Sequence, residues 1–332
     1  MRVYIPVFRK TILLIFAFTY FVSYCLANDK MFQQARLLQR QGEYNQAIKI
    51  YRNILSQQMD NSELNARQTL VYTESLVQLM NTFQSKGEPE TCISVLRELF
   101  EVSPILQGQC LRDYYSVIGY ALSRTEKMKE AEEMTLKVFT LPLHHATPER
   151  YFRDNAYAAA VFYSNPAHQE EVVTWCEEAL KQAELCSNTS GKQWVTAMLG
   201  SVYKRNGQLN KALNLFLQSK GEAQDKKDEL GVLNSLHVLI DLFLYWDVPE
   251  YADLYASEAI EVEKGMKKEN PMVSTQTYID KGRALLQLGR TDSVYFYADR
   301  NLAGVFARPN TGKQNPSQRR NQPCRGAQRP AP

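Results

Sequence analysis

Residues 199–216 read LGSVYKRNGQLNKALNLF, and the spacing inside this stretch decides the fold. Gly200 and Ala212 lack bulk, Leu199, Tyr203 and Phe216 are large, and Gly207 stands between the two sets. The pattern predicts a helix, a tight turn at Gly207 and a second helix folded back along the first. Glycine at 207 can adopt the left-handed conformation that ends a helix. Gly200 and Ala212 let the two helices approach closely, while Leu199, Tyr203 and Phe216 fill the space beside them.

Outward from this stretch the same frame returns. Leu38, Gly42, Tyr44, Ala47 and Tyr51 form a first unit, within GEYNQAIKIY at 42–51. The second has Leu76, Leu79, Phe83, Gly87, Cys92 and Leu96, closed by Pro104. The third has Tyr115, Ile118, Gly119, Leu122 and Ala131, with Glu126 replacing the turn glycine. A degenerate fourth holds Ala156, Ala159, Ala160 and Tyr163, then Val172, Cys176 and Ala179. Residues 199–216 belong to the fifth. The sixth offers Leu236, Leu239, Phe243, Ala252, Ala256 and Ala259; the seventh offers Tyr278, Gly282, Leu285 and Gly289 before a shorter helix around Ser293–Leu302. Glycine precedes alanine by five residues in both the first unit (42, 47) and the fifth (207, 212), which coincidental spacing in a generic bundle would not produce.

The pattern LGxxYxxxGxxxxAxxxF resembles the tetratricopeptide repeat, here with a period of about 40 residues where the simplest members have 34. The resemblance implies an all-α, right-handed superhelical solenoid of about seven helix-turn-helix repeats over residues 28–302. It also implies a concave groove, lined by the first helix of each unit, that clasps a protein or peptide ligand. Carrying the family's groove positions onto this chain gives Tyr120, Arg124, Tyr157, Trp194, Lys204, Arg205, His237, Asp241, Tyr245 and Arg283. Aromatic rings with interleaved cations suit a surface that stacks on side chains and pairs with carboxylates. Trp194 and the tyrosines would equally serve as packing between neighbouring units. The clamp by which chaperone-binding relatives hold a terminal carboxylate is not matched, because Asn81 is the only asparagine at its position in the frame.

The formal charge of +3 averages three unlike segments. Residues 1–27 carry Arg2, Arg9 and Lys10 with no acid, and residues 308–332 carry six cations with no acid, so the body between them is at −6. An acidic body argues against a nucleic-acid surface, which needs clustered Lys and Arg. At the N-terminus the three cations precede the apolar run Thr11–Tyr24, and Cys25-Leu26-Ala27 places small residues where a signal peptidase inspects them. Residues 1–27 therefore read as an export signal cleaved near Ala27, giving a periplasmic or envelope-associated protein. An uncleaved anchor is the alternative and would be its one membrane attachment, although the run is short for a span of about 20 residues.

Residues 303–332 form a basic tail. Beyond Phe306 it holds no acid, no aromatic and no aliphatic larger than alanine, a composition too poor in apolar surface to order itself. It reads as a basic arm or as the product of an interrupted reading frame. Under the second reading the chain resembles the exported sensor region of Bacteroidetes-type regulators, and would be a truncated sensor half of a membrane-anchored transcriptional regulator or histidine kinase lacking its output module.

Chemistry is sparse. The cysteines left after the signal, at 92, 110, 176, 186 and 324, are odd in number and irregular in spacing, unlike a disulfide framework. The four histidines, His144, His145, His168 and His237, have no cysteine or acidic pair at metal-ligand spacing. No nucleophile-elbow, zincin or phosphate-loop motif is present. The expectation is a scaffold with no catalytic site, metal or cofactor.

Overall fold

In this chain proline begins several of the helices and a left-handed residue ends several. The computed structural model describes residues 28–56, 65–266, 271–291 and 293–297. Residues 1–27, read above as an export signal, the tail 303–332 and the end of the seventh unit lie outside the described residues. Seven helical units run along the chain. Their first helices are α1 (28–40), α3 (Ala66–Lys86), α6 (Leu111–Leu122), α8 (Pro148–Phe162), α10 (Thr189–Arg205), α12 (Glu229–Tyr245) and α14 (Pro271–Gln287). Their second helices are α2 (Tyr44–Leu55), α4 (Pro89–Val102), α7 (Met128–Val138), α9 (Gln169–Leu185), α11 (Leu209–Asp225) and α13 (Pro249–Gly265), with helical residues again at 293–297. No strand occurs among the described residues.

Pro89, Pro148 and Pro249 sit in the first turn of α4, α8 and α13. There the missing N–H is no loss and the fixed φ favours the helix. The opposite ends share one device. After α1, α3, α9, α10, α11, α12 and α14 the residue in the left-handed region is Gly42, Gly87, Ser187, Gly207, Lys227, Asp247 or Gly289, with φ between +53° and +83°. The next amide then reaches back five residues, as in Glu43 N–H to Leu38 C=O, Gln208 to Tyr203 and Arg290 to Leu285, all at 2.9 Å. This satisfies carbonyls that the helix end would otherwise orphan.

Two details differ from the frame. Pro104 does not simply close the second unit: Ser103 caps a one-turn helix, α5 (Pro104–Gln107), that buries Ile105 and Leu106 and lengthens the second period. The third junction, at Glu126, contains no left-handed residue; instead Ser123, Arg124 and Thr125 continue tight backbone bonds to Gly119, Ala121 and Leu122.

Close approach of the helices follows the small residues. Ala47, Ala131, Ala212 and Ala252 are fully buried, as is Tyr51, whose hydroxyl reaches Gln39 at 3.1 Å. A Cβ on Gly200 would stand 2.1 Å from the Phe216 ring, and one on Gly119 would meet Thr135 Oγ1 at 2.6 Å. Gly282 is different, with its nearest neighbour Val294 Cγ1 at 4.0 Å, so the seventh unit does not need glycine there for packing. Gly191 and Gly231 play the tight-contact role at two junctions between units, each donating its amide to the capping side chain three residues earlier, Asn188 or Asp228, at 3.0 Å. The contacts gather the chain into two compact units, one ending at Ser235 and one beginning at Leu236.

Candidate functional site

Helix α8 carries Arg150, Arg153, Asp154 and Tyr157, a spacing that puts all four on one helical face. The face is buried, because α6 presents Asp113 to it. Arg150 forks onto Asp113 with Nε to Oδ1 at 2.9 Å and Nη2 to Oδ2 at 2.5 Å. Arg153 Nη2 donates to Asp113 and, at 3.0 Å, to Asp154. Arg112 closes the set, with Nε to Asp154 Oδ2 at 2.8 Å and Nη1 to the Leu141 carbonyl at 2.7 Å. His144 and His145 contribute their backbone carbonyls, which accept from Arg150 Nη1. Burial alone would raise the Asp113 carboxyl, but the guanidiniums of Arg153 and Arg150 hold it below the ordinary aspartate value.

Above this cluster lies a cleft of about 860 Å³, walled by α1, α3, the start of α8 and the α9–α10 turn. Phe32, Val71, Phe152 and Tyr157 supply apolar wall, and Arg36, Glu74 and Arg153 supply charge. Burial pushes the Glu74 carboxyl above its usual range, against the pull of Arg153 and Arg36.

The structure draws three of the anticipated groove residues together. Tyr120 of α6 and Tyr157 of α8 stack with ring centroids 4.3 Å apart and planes 11° apart. Trp194 of α10 meets both edge-on, at 5.9 and 6.3 Å, and stays 36% exposed. The trio thus both packs between units and presents a surface. Arg124 is exposed one turn beyond Tyr120, and Lys204 is half-exposed in the last turn of α10. Arg205 is engaged elsewhere: its guanidinium lies 3.9 Å over the Tyr163 ring and donates to the Tyr163 carbonyl at 2.5 Å, holding the α8–α9 junction.

In the second compact unit, Tyr245 is exposed and Arg283 pairs with Asp241 at 3.5 Å. His237 Nδ1 meets Asp280 Oδ2 at 2.8 Å, and its Nε2 lies 3.5 Å from Thr277 Oγ1. That order of carboxylate, imidazole and hydroxyl is a structural link. Thr277 is fully buried and donates to Glu263 at 2.8 Å, so its hydroxyl meets no substrate.

Burial pushes the thiols of Cys92, Cys110 and Cys176 up to about 12, far from a reactive thiolate. Among the described residues no group of His, Cys, Asp and Glu could hold a metal ion, and no helix is long and apolar enough to cross a membrane. The buried Asp113–Arg150–Arg153–Asp154 cluster escaped the sequence reading. Its signal was the polar stripe at 150, 153, 154 and 157, which by itself resembles a solvated face.

A model of the tetratricopeptide repeat family matches residues 31–64. The fold is that of tetratricopeptide-like repeat proteins. Among solved structures it resembles the Rap protein complexed with Competence and Sporulation Factor, at TM-score 0.56 and 13% identity over 84% of this chain and 77% of that one. BtubC (BKLC) from P. vanneervenii aligns at TM-score 0.52 and 15% identity, over 73% of this chain and 97% of that chain. NprR in complex with its cognate peptide NprX aligns at TM-score 0.50 and 13% identity, over 83% and 77%. At these identities the likeness concerns the fold alone. No curated protein matches the chain.

Proposed function

We propose that this chain is a non-enzymatic scaffold that binds an extended peptide along the face built by α1, α3, α6, α8 and α10. One observation carries the proposal: the cleft of about 860 Å³, with apolar rings and charged groups in its walls, opens beside the Tyr120–Tyr157–Trp194 cluster. Its volume falls within the range of about 300–1,000 Å³ in which ligand pockets lie. NprR, which shares the helical repeat fold, holds a cognate peptide. An exposed aromatic at the edge of a packed cluster is where binding energy concentrates. Trp194→Ala is therefore expected to weaken binding of the tightest member of a labelled pentapeptide library by about tenfold, with the helical circular dichroism intact. Unchanged affinity would remove this face from the proposal. Arg205, which holds a junction, is a poor probe of the same face.

The export signal places the scaffold in the cell envelope in this reading, and the −6 body disfavours nucleic acid as its partner. Fractionation of cells producing the full chain is expected to recover a product lacking residues 1–27 from the envelope. Recovery of the intact chain from the cytosol would refute this. The acid-free residues after Phe306 favour a second reading, in which the repeats are the sensor half of a membrane-anchored regulator or histidine kinase. The genomic sequence across the 3′ end decides between them.

A further inference from the structure

A second, smaller cavity, of about 170 Å³, lies where the start of α10 meets the ends of α9 and α11. Thr189, Lys192, Gln193 and Thr196 line it from the face of α10 that helical periodicity turns away from Trp194. The cavity is thus separate from the proposed peptide face. Its volume is below the range of about 300–1,000 Å³ that holds drug-sized ligands, and suits a small metabolite.

Its wall keeps hydrogen-bonding capacity that the protein itself does not use. Thr196 is 4% exposed, yet its hydroxyl has no hydrogen-bond partner among the described residues. A buried hydroxyl left unpaired is costly. Lys192 Nζ donates to Glu184 at 3.1 Å and to Glu222 at 2.6 Å, which leaves one of its three donors unspent. Burial pulls the Lys192 ammonium toward neutrality, but the two carboxylates outweigh it and hold the group above the ordinary lysine value. Lys226, exposed at the rim, makes no ion pair among the described residues.

The charged groups on the wall are Lys192, Lys226, Glu184 and Glu222, which sum to zero. They favour a ligand without net charge. The field across the cavity is nevertheless polar, because the positive end of the α10 dipole meets the negative ends of α9 and α11. A neutral molecule with separated charges fits that field. Leu180, Leu215 and Ala223 add an apolar lining, and no wall residue is aromatic, so a sugar ring would find no stacking platform.

We propose that this cavity binds a free amino acid with an aliphatic side chain. The ligand carboxylate accepts from Lys192 and from the Thr196 hydroxyl, and the ligand ammonium donates to Glu184 and Glu222. The aliphatic side chain packs on Leu180, Leu215 and Ala223. Binding braces α9, α10 and α11 against one another, and it does not depend on the peptide face.

The test titrates L-leucine and L-valine into the full chain, followed by calorimetry and by the midpoint of thermal unfolding. Two half-molecules of leucine serve as controls: 4-methylpentanoate lacks the ammonium, and 3-methylbutylamine lacks the carboxylate. At least one of the two amino acids is expected to bind saturably and raise the midpoint, with each half-molecule at least about tenfold weaker. Thr196→Val removes only the unpartnered hydroxyl. It is expected to leave the ligand-free midpoint unchanged or higher while weakening the amino acid about tenfold. Trp194→Ala is expected to leave this affinity unchanged. No saturable binding of either amino acid with a Kd below about 10 mM would overturn the site. Half-molecules that bind as tightly as the amino acid would overturn the paired charges. Full affinity in Thr196→Val, or affinity lost in Trp194→Ala, would overturn this cavity as the place of binding.

Discussion

Replacing Asp113 with alanine is expected to lower the unfolding free energy of the first compact unit by about 3–5 kcal/mol. The substitution leaves the buried Arg150 with no carboxylate partner among the described residues, while Arg153 and Arg112 share Asp154. Urea titration followed by helical circular dichroism reads the loss. Acid supplies the check on its origin. The Asp113 carboxyl is held below its ordinary value, so its contribution is complete above that value and disappears as the pH falls through the lower, folded one. The stability gap between wild type and Asp113→Asn should therefore stay constant from neutrality down to about pH 5 and close below about pH 4. A gap that persists in acid would mean that lost packing, not lost charge, sets the effect.

The second large effect concerns Gly200. An alanine there would place its methyl 2.1 and 2.2 Å from two atoms of the Phe216 ring, which is itself 2% exposed and has little room to retreat. Overpacking of this kind is expected to destabilise by about 1–3 kcal/mol, in thermal or urea unfolding. Phe216→Leu in the same chain should recover part of that loss, giving a coupling of about 0.5–3 kcal/mol in a double-mutant cycle. Gly221, in the interior of α11, is the control, since a methyl added there would have no neighbour within 4 Å. Gly221→Ala is expected to be neutral or stabilising by about 0.5–1 kcal/mol. Equal losses at 200 and 221 would remove the steric explanation.

These two sites mark what a reading of the residues reached and what it missed. The Gly200–Phe216 contact was legible because small and large residues recur at spacings that only paired helices explain. Alanines 47, 131, 212 and 252 follow the same logic and are all buried. Tyr120, Tyr157 and Trp194 were each placed on a first helix by the frame, and rings on neighbouring first helices come into contact when the units stack. The Asp113 cluster was not legible. Arg150, Arg153 and Asp154 carry the periodicity of an exposed helix face, and what buries them is an aspartate some forty residues earlier. Charge on a helix reads as solvent-facing until its partner is located in space. The one-turn helix after Pro104 was hidden for a different reason: proline closes one helix and opens the next with equal ease, and the Ser103 cap settles the matter locally.

The helix-ending turns have a bearing on ancestry. Seven junctions use the same backbone bonds, but glycine occupies the left-handed position in only four of them; Ser187, Lys227 and Asp247 hold it in the others. The architecture at each corner is thus written in main-chain geometry, and selection need preserve only a conformation that several residue types tolerate. Corners of that sort let letters drift while the shape persists. The family model matches residues 31–64, around Gly42, while helical units of the same build, with or without glycine at the corner, continue as far as α14.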